Sequence, residues 1–223
     1  MTRTHHQHAH PLRILLADDH AIVRQGLKQL LEQELVSVQF SEVETGQGLM
    51  QAGQNHPWDL AIIDINLPDK NGLDALKEIK ILRPELPVLI LTLYPEAQYA
   101  TRALRAGAAG YLTKSTAPAE ITLAVDKVLA GGRYISASLA ERLADELTRR
   151  ATPAPTALHE LLSDRELEVL RWIARGKTVT EIADQLSLSF KTVSTYRARL
   201  LEKLHLNTTA DLIRYALDHH LVE

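Results

Sequence analysis

The chain has 223 residues, 45% of them hydrophobic, and a formal net charge of −3. That is enough for one large or two modest cores, and too near neutral for overall charge to draw it to nucleic acid, so any basic surface must be local. The absence of Cys excludes disulfides, thiolate metal sites and thiol nucleophiles, and agrees with a reducing compartment.

From the N-terminus, Met1 to Pro11 lacks the apolar stretch of a secretory signal, and nowhere is there a run of about eighteen apolar residues to span a bilayer. A soluble, cytoplasmic protein with no membrane partner is expected. His5, His6, His8 and His10 could suggest metal binding. Nothing flanking them supplies a rigid ligand geometry, so residues 1–11 are expected to be a disordered tail.

Apolar strands are expected at Leu12–Ala17, Val36–Val43, Leu60–Asp64, Pro87–Thr92 and Ala109–Leu112. Segments of helical spacing alternate with them: Ala21–Glu32, Gly46–Gly53, Leu73–Leu82, Ala97–Ala106 and Ala119–Ala130. Strand then helix, five times, predicts an α/β fold, a doubly wound five-stranded parallel sheet. Gly72 and Gly107 punctuate turns, while Pro57, Pro87 and Pro118 stand at element starts, where a missing amide costs least. The helical period resumes from Ser136 to Arg150 through Leu139, Leu143 and Leu147, and 151–156, with Pro153 and Pro155, reads as a semi-extended linker.

The chemistry of the first half lies at strand ends. In an open parallel sheet ligands sit outside the carboxyl ends of the strands, and two strands here end in acid, at Asp18-Asp19 and at Asp64. Three clustered carboxylates call for a hard cation, and Mg²⁺ suits Asp19, Asp64 and an incoming phosphoryl group. Two more strands deliver the Thr92 hydroxyl and the Lys114 ammonium to the same rim. Phosphoryl transfer depends mainly on positioning and charge neutralisation, so these are the parts it needs around a nucleophilic carboxylate. Taken singly, each has a plainer reading: a helix cap, a packed strand Thr, a solvated Lys, an aromatic core Tyr.

Asp18-Asp19, Asp64, Thr92, Tyr111 and Lys114, in this order and spacing, resemble the CheY-like receiver domains of two-component response regulators. The resemblance covers roughly the first 130 residues. It implies that Asp64 accepts phosphate from the phosphohistidine of a sensor histidine kinase. Asp19 and Asp64 would bind Mg²⁺ with the main-chain carbonyl of Asn66, and Asp18 would support the metal's water shell. Lys114 would pair with the phosphoryl oxygens, Thr92 would swing onto the phosphate, and Tyr111 would move inward with it as the switch. Asn66 and Tyr94 occupy positions where the family tunes phosphoryl lifetime. Such a chain is no enzyme beyond its own phosphorylation and dephosphorylation. Two other classes compete. An aspartyl-nucleophile phosphohydrolase would use a similar set but wants a second Asp two residues after the nucleophile, where Asn66 stands. A constitutive DNA-binding module with an inert receiver is harder to square with the intact acidic set.

After the linker the pattern is helical throughout. Ser163 with Glu166 forms a capping box opening a helix that stops at Gly176. Thr180 is expected to cap the next helix, with Ile182, Ala183 and Leu186 inward; a turn at Ser187-Leu188-Ser189 leads into a helix from Phe190 to His205. On it Val193, Leu200 and Leu204 share one face, with Lys191, Thr195, Ala198 and Glu202 roughly opposite. Two helices joined by a tight turn, the second exposing small and basic residues, make a helix-turn-helix. Leu162 to Leu170, Glu181-Ile182-Ala183 and Lys191 to Arg197 closely resemble the LuxR-type output domain. With a receiver before it, the chain resembles the NarL/FixJ class over nearly its whole length. That resemblance implies four helices, the third in the major groove of double-stranded DNA and the fourth, Thr209 to His219, pairing subunits in a homodimer on promoter sites.

The expected domains are therefore a receiver at 12–132, a linker at 133–160 and the helix-turn-helix at 161–223. Lys191, Arg197, Arg199 and Lys203 suit phosphate oxygens, Thr192 is a further expected DNA contact, and Ser194, Thr195 and Ala198 are the candidate base readers. Ion pairing of Arg197 and Arg199 with Glu202 is the alternative. Four cations against Glu202 alone between Ser189 and His205 make a weak, local electrostatic site, so affinity should lean on dimerisation.

Overall fold

The computed structural model describes residues 11–149 and 158–222; the His-rich tract and the 151–156 linker lie outside them. The described residues through Ala140 and those from Glu141 belong to two compact units.

In the first unit, strands β1 (Leu12–Ala17), β2 (Val38–Val43), β3 (Leu60–Ile63), β4 (Val88–Thr92) and β5 (Gly110–Thr113) form a parallel sheet in the order β2-β1-β3-β4-β5. Helices α1 (Ala21–Glu34), α2 (Gly46–Asn55), α3 (Gly72–Leu82), α4 (Glu96–Arg105) and α5 (Ala117–Leu129) connect and follow the strands. α1 contacts α5, and α3 contacts both α2 and α4, as two helical layers covering one sheet require. Strand residues of one parity, Ile14, Leu16, Leu60, Ile62, Leu89 and Leu91, pack with Leu27 and Leu31 of α1 and Ile121 and Val125 of α5. Those of the other parity, such as Leu15, Ala61 and Ile90, are buried as well. Burial on both faces explains why the central strands read as continuous apolar runs.

The strand limits follow from register. β2 begins at Val38, not Val36, because Leu12, the first residue of β1, pairs with Val38; Val36 stays 87% exposed. Thr92 pairs with Thr113, which shifts β5 one residue past the expected span. α5 starts two residues early and takes Pro118 into its first turn, where no amide is needed. A further helix, α6 (Ala137–Arg149), follows.

The second unit holds a 3₁₀ turn, Leu158–Leu161, and helices α7 (Asp164–Ala174), α8 (Val179–Gln185), α9 (Phe190–Lys203) and α10 (Thr209–Asp218). Leu167, Leu170, Ile182, Val193, Leu200, Leu204 and Leu212 share its core. The Ser163–Glu166 capping box is present and opens α7. Gly176, just past the end of α7, has φ +79°. The expected cap of α8 at Thr180 is corrected: Thr178 holds that position and Thr180 lies inside the helix. Glu181, three residues after Thr178, returns its carboxylate to the Thr178 amide at 2.9 Å, whereas the third residue after Thr180 is Ala183, which has nothing to return. α8 ends in a Schellman turn: the amide of Leu188 donates to the carbonyl of Ala183 at 2.8 Å, with Ser187 at φ 52°. That turn sets the angle at which α9 leaves α8.

Candidate metal centre and helix-turn-helix face

β1 and β3 are neighbours with Ala17 opposite Ile63, so the residue after each, Asp18 and Asp64, comes to the same point of the sheet's carboxyl rim. Both side chains are buried. Lys114, just beyond β5, reaches across to them: its Nζ lies 2.6 Å from Asp64 Oδ2 and 2.7 Å from Asp18 Oδ2. Its backbone is held by an amide donating to the Thr92 carbonyl at 2.7 Å. Burial pushes the Asp64 carboxyl above its ordinary range; Asp18 adds to that, and Lys114 only partly offsets it. Burial also works against the Lys114 ammonium, but Asp64 and Asp18 outweigh it and hold the proton more firmly than on a free lysine. One ammonium is thus shared by two buried carboxylates, which leaves excess negative charge at the rim.

That imbalance is the test of whether a cation fits. Among the described residues, Asp18, Asp19, His20 and Asp64 bring possible ligand atoms within 4.8 Å of one another. Asp19 Oδ1 is buried without a hydrogen bond; His20 Nδ1 approaches it to 2.6 Å but outside hydrogen-bonding geometry. A hard divalent cation suits such an oxygen-rich, under-compensated cluster.

The β3–α3 loop supports Asp64. The Asn66 amide donates to Asp64 Oδ1 at 3.2 Å, and the Gly72 amide donates to the Ile65 carbonyl at 2.7 Å. A Cβ on Gly72 would stand 2.0 Å from the Asp64 carbonyl oxygen, so no larger residue fits this fold-back. Asp69 ties the same loop to the start of α2, accepting from the amides of Gly46 and Gln47 at 2.7 and 2.8 Å.

Thr92 is fully buried at the end of β4, and its hydroxyl accepts from the Tyr94 amide at 3.5 Å. Tyr111 points inward, fully buried, its hydroxyl donating to the Tyr94 carbonyl at 2.8 Å. The inward placement expected on switching is therefore already adopted here.

Two contributors escaped the sequence reading. His20 donates its amide to Asp18 Oδ1 at 2.8 Å; its place directly after the acidic pair was the available signal. Arg24 is buried and donates to the Asp18 carbonyl at 2.6 Å, to Glu42 at 2.9 Å and to Glu44 at 2.7 Å. Its clue was position: Arg24 shares the inward stripe of α1 with Leu27 and Leu31, where an unpartnered charge would be costly.

On α9, Lys191, Thr195, Ala198, Arg199 and Lys203 are exposed, and Thr192, Ser194 and Arg197 are partly so. The four cations are not equivalent. Arg197 Nε donates to Thr209 Oγ1 at 3.0 Å, fastening α9 to the start of α10 rather than pairing with Glu202. Lys203 Nζ lies 2.8 Å from Oε2 of buried Glu166, fastening α9 to the cap of α7. The Thr195 hydroxyl donates to the Lys191 carbonyl at 2.9 Å, and the Thr192 hydroxyl lies 2.8 Å from that of Ser189.

Two family models match. Residues 14–126 match the response regulator receiver domain, and residues 160–216 match the bacterial regulatory proteins of the luxR family. The response regulator UvrY of Escherichia coli K12 is 33% identical over 94% of this chain and 95% of its own. GacA, a response regulator of Pseudomonas viridiflava, is 34% identical over 95% of this chain and 98% of its own. The structure of RcsB from Salmonella enterica serovar Typhimurium, bound to a promoter in the presence of phosphomimetic BeF₃⁻, matches 92% of this chain and 98% of that one, with 28% identity and a TM-score of 0.56. No helix among the described residues is long and apolar enough to cross a membrane. With a receiver and a LuxR-type helix-turn-helix in one chain, and end-to-end relatives of this kind, the protein belongs to the NarL/FixJ class of two-component response regulators.

Proposed function

We propose that Asp64 is the phosphoacceptor, that it takes a phosphoryl group from the phosphohistidine of a sensor histidine kinase, and that its phosphorylation controls promoter binding by α9. The observation that carries this reading is the Lys114 ammonium bridging Asp64 and Asp18 at 2.6 and 2.7 Å. A carboxylate oxygen of Asp64 forms the P–O bond while the donor's P–N bond breaks, and the leaving imidazole keeps the electron pair. Asp19, Asp64 and the main-chain carbonyl of Asn66 would hold Mg²⁺, with Asp18 supporting its waters; the ion would neutralise charge on the phosphoryl oxygens. Lys114 then exchanges its carboxylate partners for phosphoryl oxygens. Thr92, one strand away, turns its hydroxyl from the Tyr94 amide to the phosphoryl group, and Tyr111, bonded to the Tyr94 carbonyl, carries the change to the surface of α4 and β5. This shifts an existing equilibrium towards the DNA-binding form.

At the output end, Lys191 and Arg199 would lie along DNA phosphates, with Thr192, Ser194, Thr195 and Ala198 facing the groove, while Arg197 and Lys203, engaged with Thr209 and Glu166, would reach phosphates only on leaving those partners. Half-exposed Leu217 on α10 supports subunit pairing through that helix. Self-phosphorylation and dephosphorylation at Asp64 would be the chain's own chemistry, in the cytoplasm, where kinase and promoter meet. Asn66, in place of a general-acid Asp, weighs against a phosphohydrolase.

The test is intact-protein mass after incubation with a small acyl-phosphate donor, with Mg²⁺ or with chelator, for wild type and Asp64→Asn. One phosphoryl gain requiring both Mg²⁺ and Asp64 is expected. Gain on Asp64→Asn, or none even from purified histidine kinases, overturns the reading. Gel-shift titration of the same proteins completes it: equal DNA affinity with and without donor removes the switch.

A further inference from the structure

Phe190 is the first residue of α9, directly after its cap Ser189. The other large apolar side chains of the helix serve the domain core: Val193 and Leu200 are buried, and Tyr196 and Leu201 pack against the same cluster. Phe190 is 60% exposed and is not among the side chains packed on that core. Singly exposed apolar residues are common, so exposure alone says little; position and neighbours say more.

In a helix-turn-helix the residues at the start of the second helix approach the base edges most closely. Phe190 heads the stripe of Ser194 and Arg197, at i+4 and i+7, beside the stripe of Lys191, Thr195 and Ala198. The polar groups of this face are largely engaged within the domain. The Thr195 hydroxyl is turned to the Lys191 carbonyl, Ser189 and Thr192 hold each other's hydroxyls, and Arg197 is fastened to Thr209. Besides the Ser194 side chain and the Lys191 and Arg199 cations suited to phosphates, this face offers a groove an aromatic ring, the methyl of Thr195 and that of Ala198. The feature of B-DNA that apolar groups recognise is the thymine 5-methyl, which only the major groove displays.

We infer that Phe190 is a specificity-determining residue: its ring reads thymine methyl groups at the half-site, and α9 discriminates more by apolar contact than by hydrogen bonding. This rests on the reading that α9 enters the major groove, and the experiment separates the two. A duplex is selected from a random pool with the wild-type protein, and fluorescence anisotropy then measures binding to it and to versions in which single thymines are replaced by deoxyuridine, which lacks only the methyl. Wild type, Phe190→Ala, Phe190→Leu and Lys191→Ala are compared, with thermal unfolding as the folding check.

The expected result is that wild type loses about fourfold in affinity for each critical methyl removed. Phe190→Ala binds the all-thymine duplex more weakly and is indifferent to uracil at those positions. Phe190→Leu, still apolar, keeps part of the uracil sensitivity, and Lys191→Ala weakens binding while keeping all of it. If Lys191→Ala weakens binding and Phe190→Ala does not, or if Phe190→Ala keeps the wild-type sensitivity to uracil, the Phe190 inference falls and the α9 reading stands. If neither variant weakens binding, the α9 reading falls, and the inference with it.

Discussion

Ser136 and Glu96 join the end of the receiver to the element nearest its switch: Ser136 Oγ donates to Glu96 Oε2 at 2.7 Å, and Ser138 Oγ to the same oxygen at 3.0 Å. Ser136 also caps α6, accepting from the Leu139 amide at 3.1 Å. Glu96 lies two residues after Tyr94, whose amide and carbonyl meet Thr92 and Tyr111. The start of α6 is therefore fastened to the first residue of α4, directly after the loop that would move if Thr92 turned.

Ser136→Ala removes both the cap and one anchor. Loss of a serine cap costs about 1 kcal/mol, so amide exchange at Leu139 and Ala140 should quicken roughly fivefold while exchange in β1 and β3 stays unchanged. Treating the wild type with acyl phosphate and Mg²⁺ should quicken the same amides. Hydrogen exchange read by mass spectrometry checks both; unchanged protection in the variant would show that α6 starts without this cap.

The acidic rim should bind Mg²⁺ in proportion to how well its loop is held. Arg24 fixes the Asp18 carbonyl from a buried position anchored on Glu42 and Glu44, and loss of such supporting contacts typically weakens metal binding about 10- to 100-fold. Calorimetric titration of Arg24→Met should show a loss in that range with the receiver still folded. Mg²⁺ should raise the melting temperature of the wild type, an effect that chelator reverses and that Asp64→Asn lacks.

The strands and the acids at their ends were legible because a strand buried on both faces is one apolar run, and Asp18, Asp64, Thr92 and Lys114 each stand where a run stops. The helix-turn-helix was legible from its period and its punctuation. Partners that come from elsewhere in the fold were not. Arg24 meets Glu42 and Glu44 only because β2 lies beside β1, and Lys203 meets Glu166 only because α9 crosses α7. The cap of α8 was misread for a local reason: Thr178 and Thr180 both precede the helical period, and only the return of Glu181 decides between them. Thr178→Ala should accordingly cost about 1 kcal/mol, whereas Thr180→Ala, inside the helix, should be near neutral. Denaturant unfolding of both variants tests this, and equal losses would contradict the assignment.

Lys203 tests whether a cation on the DNA-facing helix acts on DNA or on the fold. Burial opposes ionisation of Glu166, but Lys203 and the Ser163 cap outweigh it and hold the carboxyl below its ordinary range. A carboxyl with a lowered folded pKa stabilises the fold above its unfolded value, about 4.3, and that stability is lost as pH falls from there through the lowered folded value. Melting temperature followed from pH 7 to pH 3 should therefore fall in the wild type by more than in Glu166→Gln. Lys203→Ala leaves a buried carboxylate without its ammonium, so its melting temperature at pH 7 should drop as well. Lys191→Ala should leave the melting temperature unchanged and reduce the salt dependence of DNA binding by about one counterion. A Lys203→Ala protein that melts with the wild type and loses the same salt slope would place Lys203 on DNA phosphate instead.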